Sequence, residues 1–169
     1  MLIRRCAAAD VEEIFGVINA AASAYRGVIP ADRWKEPYMP LEELRGEIAA
    51  GVQFWAWLQD GRIAGVMGSQ PVGDVTLVRH AYTRPADQGK GIGSALLHHL
   101  VAEIDRPVLV GTWKAATWAI RFYLGRSFTL VSEQEKTELL RRYWTVPERQ
   151  IEESVVLRLN ARRAASPSR

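Results

Sequence analysis

Three glycines fall within five residues at Gln88-Gly89-Lys90-Gly91-Ile92-Gly93-Ser94, at the join between two segments of different periodicity. Upstream, residues 75–83 (VTLVRHAYT) are rich in β-branched and aromatic side chains and read as a strand. Downstream, Ile92, Leu96, Leu100 and Ile104 recur at every fourth position, flanked by Leu97 and Val101, as on the buried face of a helix. A glycine turn that opens a helix directs unbonded N–H groups and the positive end of the helix dipole at one point. That is an anion site, suited to a phosphate or pyrophosphate. The missing Cβ atoms let a ligand approach the backbone closely.

Spacing excludes two common phosphate loops. A P-loop requires Ser or Thr directly after its Gly-Lys, and Lys90 is followed by Gly91. A dinucleotide fingerprint requires a third glycine where Ser94 stands and an acidic residue about twenty positions on, and residues 108–114 contain none.

The remaining pattern predicts strands at 2–6, 52–58, 63–69, 107–111, 128–131 and 151–159, with an Asp-Gly turn at 60–61 closing a hairpin. It predicts helices at 11–22, 41–50, 92–104, 114–125 and 134–142, the first capped by Asp10. Residues 23–40, with three prolines and bulky aromatics, read as an irregular connection. Gly65 and Gly68 suggest close packing in the second hairpin strand. The interleaved order indicates an α/β (α+β) domain with a mixed sheet. We expect one domain over 1–160 and a disordered tail at 161–169 (ARRAASPSR).

Composition removes several function classes. A net charge of +3, partly carried in the tail, is too small to argue for nucleic acid. No apolar run reaches membrane-spanning length, so we expect no membrane association. Cys6 is the only cysteine, which precludes an internal disulfide and suits a cytoplasmic protein. His98 and His99 lie on different helix faces without partners at ligand spacing, and no metal is expected.

The turn does fit Q/R-x-x-G-x-G/A through Gln88, Gly91 and Gly93. With its strand, proline and helix, VTLVRHAYTRPADQGKGIGSALLHHL resembles motif A of the GNAT superfamily of N-acyltransferases. ATWAIRFYLGRSF resembles motif B through Ala119, Phe122, Tyr123 and Phe128, and IRRCAAADVEEIFGVI resembles the family's first strand and helix. Two positions depart from motif B: Ala116 stands where Asn is frequent, and Ser127 where Gly precedes the final Phe.

The resemblance implies a mostly antiparallel mixed sheet with helices on both faces, and acetyl-CoA as donor. It assigns the pyrophosphate to the N–H groups of Gln88, Gly89, Lys90, Gly91, Ile92, Gly93 and Ser94, with the Lys90 charge free to assist. The strand edge at Ala81, Tyr82 and Thr83 would pair with the pantetheine arm as an added strand does. Transfer would be direct, to a primary amine, with a strand N–H stabilising the oxyanion. Tyr123 would act as general acid; a phenol near pKa ~10 against a thiol near ~8.5 is a modest acid that positioning can help. For the base, His80 and Glu36 are the candidates, beside water chains; a packed strand histidine is the plain alternative for His80.

The segments flanking the acceptor in this family correspond to Tyr25–Met39 and Ser132–Gln150, where Tyr25, Trp34, Tyr38, Tyr143 and Trp144 are candidates for a pocket wall. Trp55 and Trp57 share a strand face and read as core, whereas Trp113 and Trp118 fall near the thiol end. The mixed charges of Arg26, Arg33, Asp32, Glu36, Arg141, Arg142, Glu148 and Arg149 leave the acceptor open between a small-molecule and a peptide amine. A homodimer is compatible with the chain. A non-catalytic acyl-CoA sensor is the competing reading, and a nucleotide-binding module the third.

Overall fold

The computed structural model describes residues 2–161, so the expected tail lies, apart from Ala161, outside the described residues. Seven strands form one sheet: β1 (Leu2–Arg5), β2 (Gln53–Gln59), β3 (Arg62–Val72), β4 (Val75–Thr83), β5 (Val108–Trp113), β6 (Phe128–Leu130) and β7 (Ser154–Leu159). Their order is β1-β2-β3-β4-β5-β7-β6. Only the β4–β5 pair is parallel; every other neighbouring pair is antiparallel. The β2–β3 hairpin closes through Asp60 (φ 51°) and Gly61 (φ 75°), the two left-handed residues that match the twist of a tight hairpin. A second tight turn, with Gly73 at φ 54°, joins β3 to β4. β3 runs past the predicted end at Ser69 to Val72. β2 stops opposite Ser69, so Pro71 lies where β3 is an edge on that side, and an edge tolerates proline.

Alternation along β2 sorts the two sheet faces. Phe54 and Ala56 pack with Ile14, Val17 and Ile18 of α1 (Val11–Ala22) and Leu44 of α2 (Leu41–Ala49). Trp55 and Trp57 pack on the opposite face, against the cluster of Ile92, Leu96, Leu97 and Leu100 of α3 (Ile92–Ala102), which also takes Tyr123 of α4 (Thr117–Leu124). α5 (Glu133–Tyr143) and α6 (Glu148–Glu152) cover the far end of the sheet, with Leu140 and Ile151 on Val75, Leu77, Leu109 and Val156. Helices therefore flank both faces, as expected.

Two local readings are corrected. Residues 151–152, expected to open the last strand, instead end α6, because the N–H groups of Gln150 and Ile151 bond the Pro147 carbonyl and Ile151 is drawn into the core. Asp10 does not cap α1. Its carboxylate turns back to accept from Arg4 (2.8 and 2.9 Å) and from the Ala7 N–H (2.7 Å), which holds its carboxyl down to about 2.

One close approach positions the glycine turn. A Cβ on Gly65 of β3 would lie 2.6 Å from Cγ2 of Ile92, the first residue of α3. Only glycine lets the helix start rest directly on the sheet. Gly65→Ala should cost about 1–3 kcal/mol in urea denaturation, as overpacking does, and Ile92→Ala in the same chain should reduce that increment. At Ser127 the exposed residue holds φ 68°, the conformation for which the motif carries glycine. Ser127→Gly should raise stability by about 0.5–1 kcal/mol, measured by the denaturation midpoint.

Candidate active site

The sheet divides in its middle. β3 and β4 pair Gly68 with Arg79 and Val66 with Tyr82; between these pairs β3 has Met67 alone, and β4 has both His80 and Ala81. This is a β-bulge, with His80 at φ 53°. Gly68 makes room for it: a Cβ there would sit 2.8 Å from the Arg79 carbonyl oxygen. The bulge puts two successive side chains, Arg79 and His80, on the side of α2, where both bond Glu47. It also turns β4 away from β5. Their ladder contains only Thr76–Val108, Leu77–Leu109 and Val78–Val110, while β5 continues along β7 to Trp113. From Arg79 to Thr83 the β5-facing edge of β4 has no strand partner.

Two cavities open on this gap. One, of about 440 Å³, is lined by Ala81, Tyr82 and Thr83 of β4, by Gln88 and Gly93 of the turn, and by Trp118, Ala119, Phe122 and Tyr123 of α4. The other, of about 140 Å³, is lined on one wall by Arg79, His80 and Tyr82 and on the other by Thr112, Trp113 and Trp144. Tyr25 and Tyr82 line both and form the partition.

The turn supplies donors to the larger cavity. Gly89 and Gly91 hold φ 78° and 80°, and Gly91 is the N-cap of α3. The first bond of the helix runs from the Ala95 N–H to the Gly91 carbonyl (3.0 Å), so the N–H groups of Ile92, Gly93 and Ser94 have no backbone acceptor. Buried Asp87 fixes the approach to the turn by accepting from Arg62 and Lys90, each at 2.9 Å. These two bonds, Lys90 first, hold its carboxyl below the usual range despite burial. Lys90 is therefore paired, and not a free charge as expected from the sequence. The Asp-x-x-Lys spacing is the signal that could have found this pair. The Ile92 side chain is buried in the core, so only its N–H faces outward as a donor.

Tyr123 is buried, with its ring edge-on to Phe122 (5.0 Å) and Phe128 (5.3 Å). Its hydroxyl makes no hydrogen bond among the described residues and opens on the larger cavity. Burial pushes this phenol above its ordinary pKa. Tyr25 and Tyr82 are pushed up in the same way. Tyr38 accepts from Trp113 Nε1 at 2.8 Å and is also raised by burial.

Of the other candidates, Tyr25 and Tyr38 line the smaller cavity, 5.3 Å apart at their ring centroids. Trp34 stacks on the outer side of Tyr38 at 5.8 Å. Tyr143 does not reach the cavity: its hydroxyl donates to Asp74 at the end of the sheet, while its neighbour Trp144 lies over Gly111 and lines the wall. Glu36 is exposed, ion-paired with Arg26, and lines neither cavity. His80 does line the smaller one. In the flanking connections Arg141 pairs with Glu148 and Arg149 with Asp32, the latter joining the two segments. Glu47 was invisible in the sequence, as one acid on a polar helix face. Cys6 lies apart from both cavities, and burial, assisted by Asp10, pushes its thiol up to about 12. Among the described residues no cluster of metal-ligating side chains occurs, and no helix is long and apolar enough to cross a membrane.

The sequence model of the acetyltransferase (GNAT) domain matches residues 19–141. The chain belongs to the GNAT acetyltransferase family. Among solved structures it is similar to the PaiA N-acetyltransferase of Thermoplasma acidophilum in complex with coenzyme A (16% identity, TM-score 0.72), with 95% of this chain and 98% of that chain covered. It is also similar to the ribosomal-protein-S18-alanine N-acetyltransferase of Escherichia coli (16% identity, TM-score 0.66; 99% and 98% covered). A ribosomal-protein-alanine N-acetyltransferase from Brucella melitensis is a third (16% identity, TM-score 0.65; 94% and 98% covered). At these identities the likenesses establish the GNAT fold. Comparison with curated proteins by sequence gives no match.

For this GNAT acetyltransferase, Gly91 offers a test of the turn that is separable from folding. A side chain there would meet nothing within 4 Å, so the burden of Gly91→Val is the left-handed backbone, roughly 1–2 kcal/mol. Relaxing that strain turns the N–H groups of α3 away from the cavity. Coenzyme A affinity by calorimetry should fall at least about tenfold, a loss of ~1.4 kcal/mol of binding free energy, while the chain stays folded.

Proposed function

We propose that this enzyme moves an acetyl group from acetyl-CoA to a primary amine by direct transfer, with donor and acceptor bound on either side of the Tyr25–Tyr82 partition. The observation that carries the reading is the continuity of the larger cavity: one surface joins the unpaired edge at Ala81–Thr83, Gly93 with its unbonded N–H in the first turn of α3, and Tyr123. An amide-bearing arm is complementary to the unpaired edge, and a pyrophosphate to the convergent N–H groups. Bound acetyl-CoA supplies an activated thioester carbonyl.

The roles of this chain's residues follow. Backbone N–H groups at the bulge orient the carbonyl and stabilise negative charge on its oxygen in a water-poor gap. Tyr123, kept protonated by its burial, holds a proton facing the cavity for the departing sulfur. A thiolate leaving into the same dry pocket is itself made more basic by desolvation, which narrows the mismatch between the two groups. The smaller cavity, walled by Tyr38, Trp113 and Trp144, takes the amine.

Tyr123→Phe should lower kcat by roughly ten- to a thousandfold with little change in acetyl-CoA affinity, the signature of an acid that acts only in the transition state. Coenzyme A thiol release is the measurement; unaltered turnover would take Tyr123 out of the reaction.

A further inference from the structure

The strained residue of the bulge is also the residue held most firmly. His80 is not glycine, yet it sits at φ 53°, a left-handed conformation that a residue with a Cβ adopts only at a cost. Its ring lies between those of Phe54 (6.0 Å) and Tyr82 (6.5 Å), both nearly parallel to it. Its Nε2 bonds the Glu47 carboxylate of α2. Glu47 is in turn fixed by Arg79 (3.0 Å), which also donates to Gln70 (3.0 Å). Burial pushes the Glu47 carboxyl up, but His80 and Arg79 together outweigh it and hold the group ionised, below its ordinary value. The remaining ring nitrogen, Nδ1, has no partner among the described residues, and His80 lines the smaller cavity. Glu47 is the charged group bonded to this ring, Arg79 pairs with Glu47, and the Tyr25 and Tyr38 phenols line the same cavity.

We infer that Glu47 and His80 form the base of the transfer reaction: Glu47 is the positioning residue, accepting a hydrogen bond from Nε2–H, and His80 Nδ1 is the site that takes the proton from the acceptor amine. The inference rests on the acetyl-transfer reading of the two cavities. A carboxylate that accepts from one imidazole nitrogen fixes the tautomer and leaves a lone pair on the other. The left-handed backbone and the two flanking rings then aim that lone pair into the cavity. Strain at one non-glycine residue, retained where a neighbouring carboxylate holds its ring, is the arrangement expected of a functional position.

The protons balance. His80 Nδ1 accepts one proton from the acceptor ammonium, and the nitrogen lone pair so exposed forms the C–N bond to the acetyl carbon. The C–S bond breaks with its electron pair on sulfur, which takes the Tyr123 proton. The second proton, shed by the new amide nitrogen, returns to the Tyr123 oxygen, and His80 releases its own to solvent.

The test compares wild type, Glu47→Gln and His80→Gln by thiol release from acetyl-CoA. Two acceptors are used: the best substrate of a panel of primary alkylamines, and hydroxylamine, which is already neutral at pH 7. With the alkylamine, both variants should lose roughly ten- to a hundredfold in kcat/KM. With hydroxylamine the loss should be less than about threefold, since no ammonium needs a base. Equal losses with both acceptors would reduce Glu47 to a structural tie between α2 and β4 and overturn the inference. Wild-type activity in either variant would overturn it as well. No thiol release by wild type with either acceptor would instead remove the transfer reading on which the inference rests.

Discussion

The β-bulge at His80–Ala81 is the constraint on which the rest depends. A regular β4 would have continued its parallel ladder with β5, leaving one closed sheet and no cavity in its middle. One additional residue on β4 breaks the ladder after Val78–Val110 and separates the two strands. The unpaired backbone edge, the larger cavity below it and the smaller cavity above it are three consequences of one insertion. The same residue shifts the alternation of β4. Arg79 and His80 both reach α2, and Ala81 and Tyr82 then resume on opposite faces. Gly68 permits the distortion by leaving space for the Arg79 carbonyl.

The second requirement is that α3 begin at a fixed height above the sheet. Contact between Gly65 and Ile92 sets that height, and the Asp87 bridge to Arg62 and Lys90 ties the preceding turn to β3. Arg84 adds two more ties to the same strand, through its N–H to Ala64 and its side chain to Ile63, both at 2.8 Å. The unbonded N–H groups at the helix start are thus aimed by packing and by charge at once. A donor cluster on a mobile loop would have to be ordered upon binding, at an entropic cost that this arrangement reduces.

Much of this was legible in the sequence because it is carried by local signals. The strand–glycine–helix unit, the Asp-Gly hairpin and the four-residue repeat of α3 each depend on residues near one another, and the structure has them where spacing put them. The bulge was not legible. His80 sits in a run of nine strand-like residues, and only its pairing with β3 reveals that one residue is additional. Nor was Glu47, thirty-three residues upstream of its histidine, visible as anything but a solvated helix residue. Glu36 illustrates the converse. It is an acid in the right connection, but Arg26 holds it outside the cavity. Trp144 and Tyr143 were indistinguishable as neighbours in sequence, and the Gly111 surface that seats Trp144 was what separated them. Tertiary contacts decided each of these, and no local pattern encodes them.

The aromatic partition imposes an order on how the site can be used. Tyr25 and Tyr82 separate the two cavities while contacting both, and Trp118 stacks on Tyr25 at 5.9 Å from the donor side. Phenols raised by burial stay neutral, so the wall between the reacting groups carries hydrogen-bonding capacity without charge. A charged wall would have held water against the thioester or bound the ammonium away from it. A neutral wall leaves polarity and charge to its two sides: the N–H groups of α3 on one, and Glu47 with Arg79 beside His80 on the other. For the proposed transfer, burying the acceptor as an ammonium in this gap costs more desolvation than burying it as the neutral amine. On that reading the architecture favours loss of the proton before the nitrogen reaches the carbonyl, which accords with the base proposed on the wall of the smaller cavity.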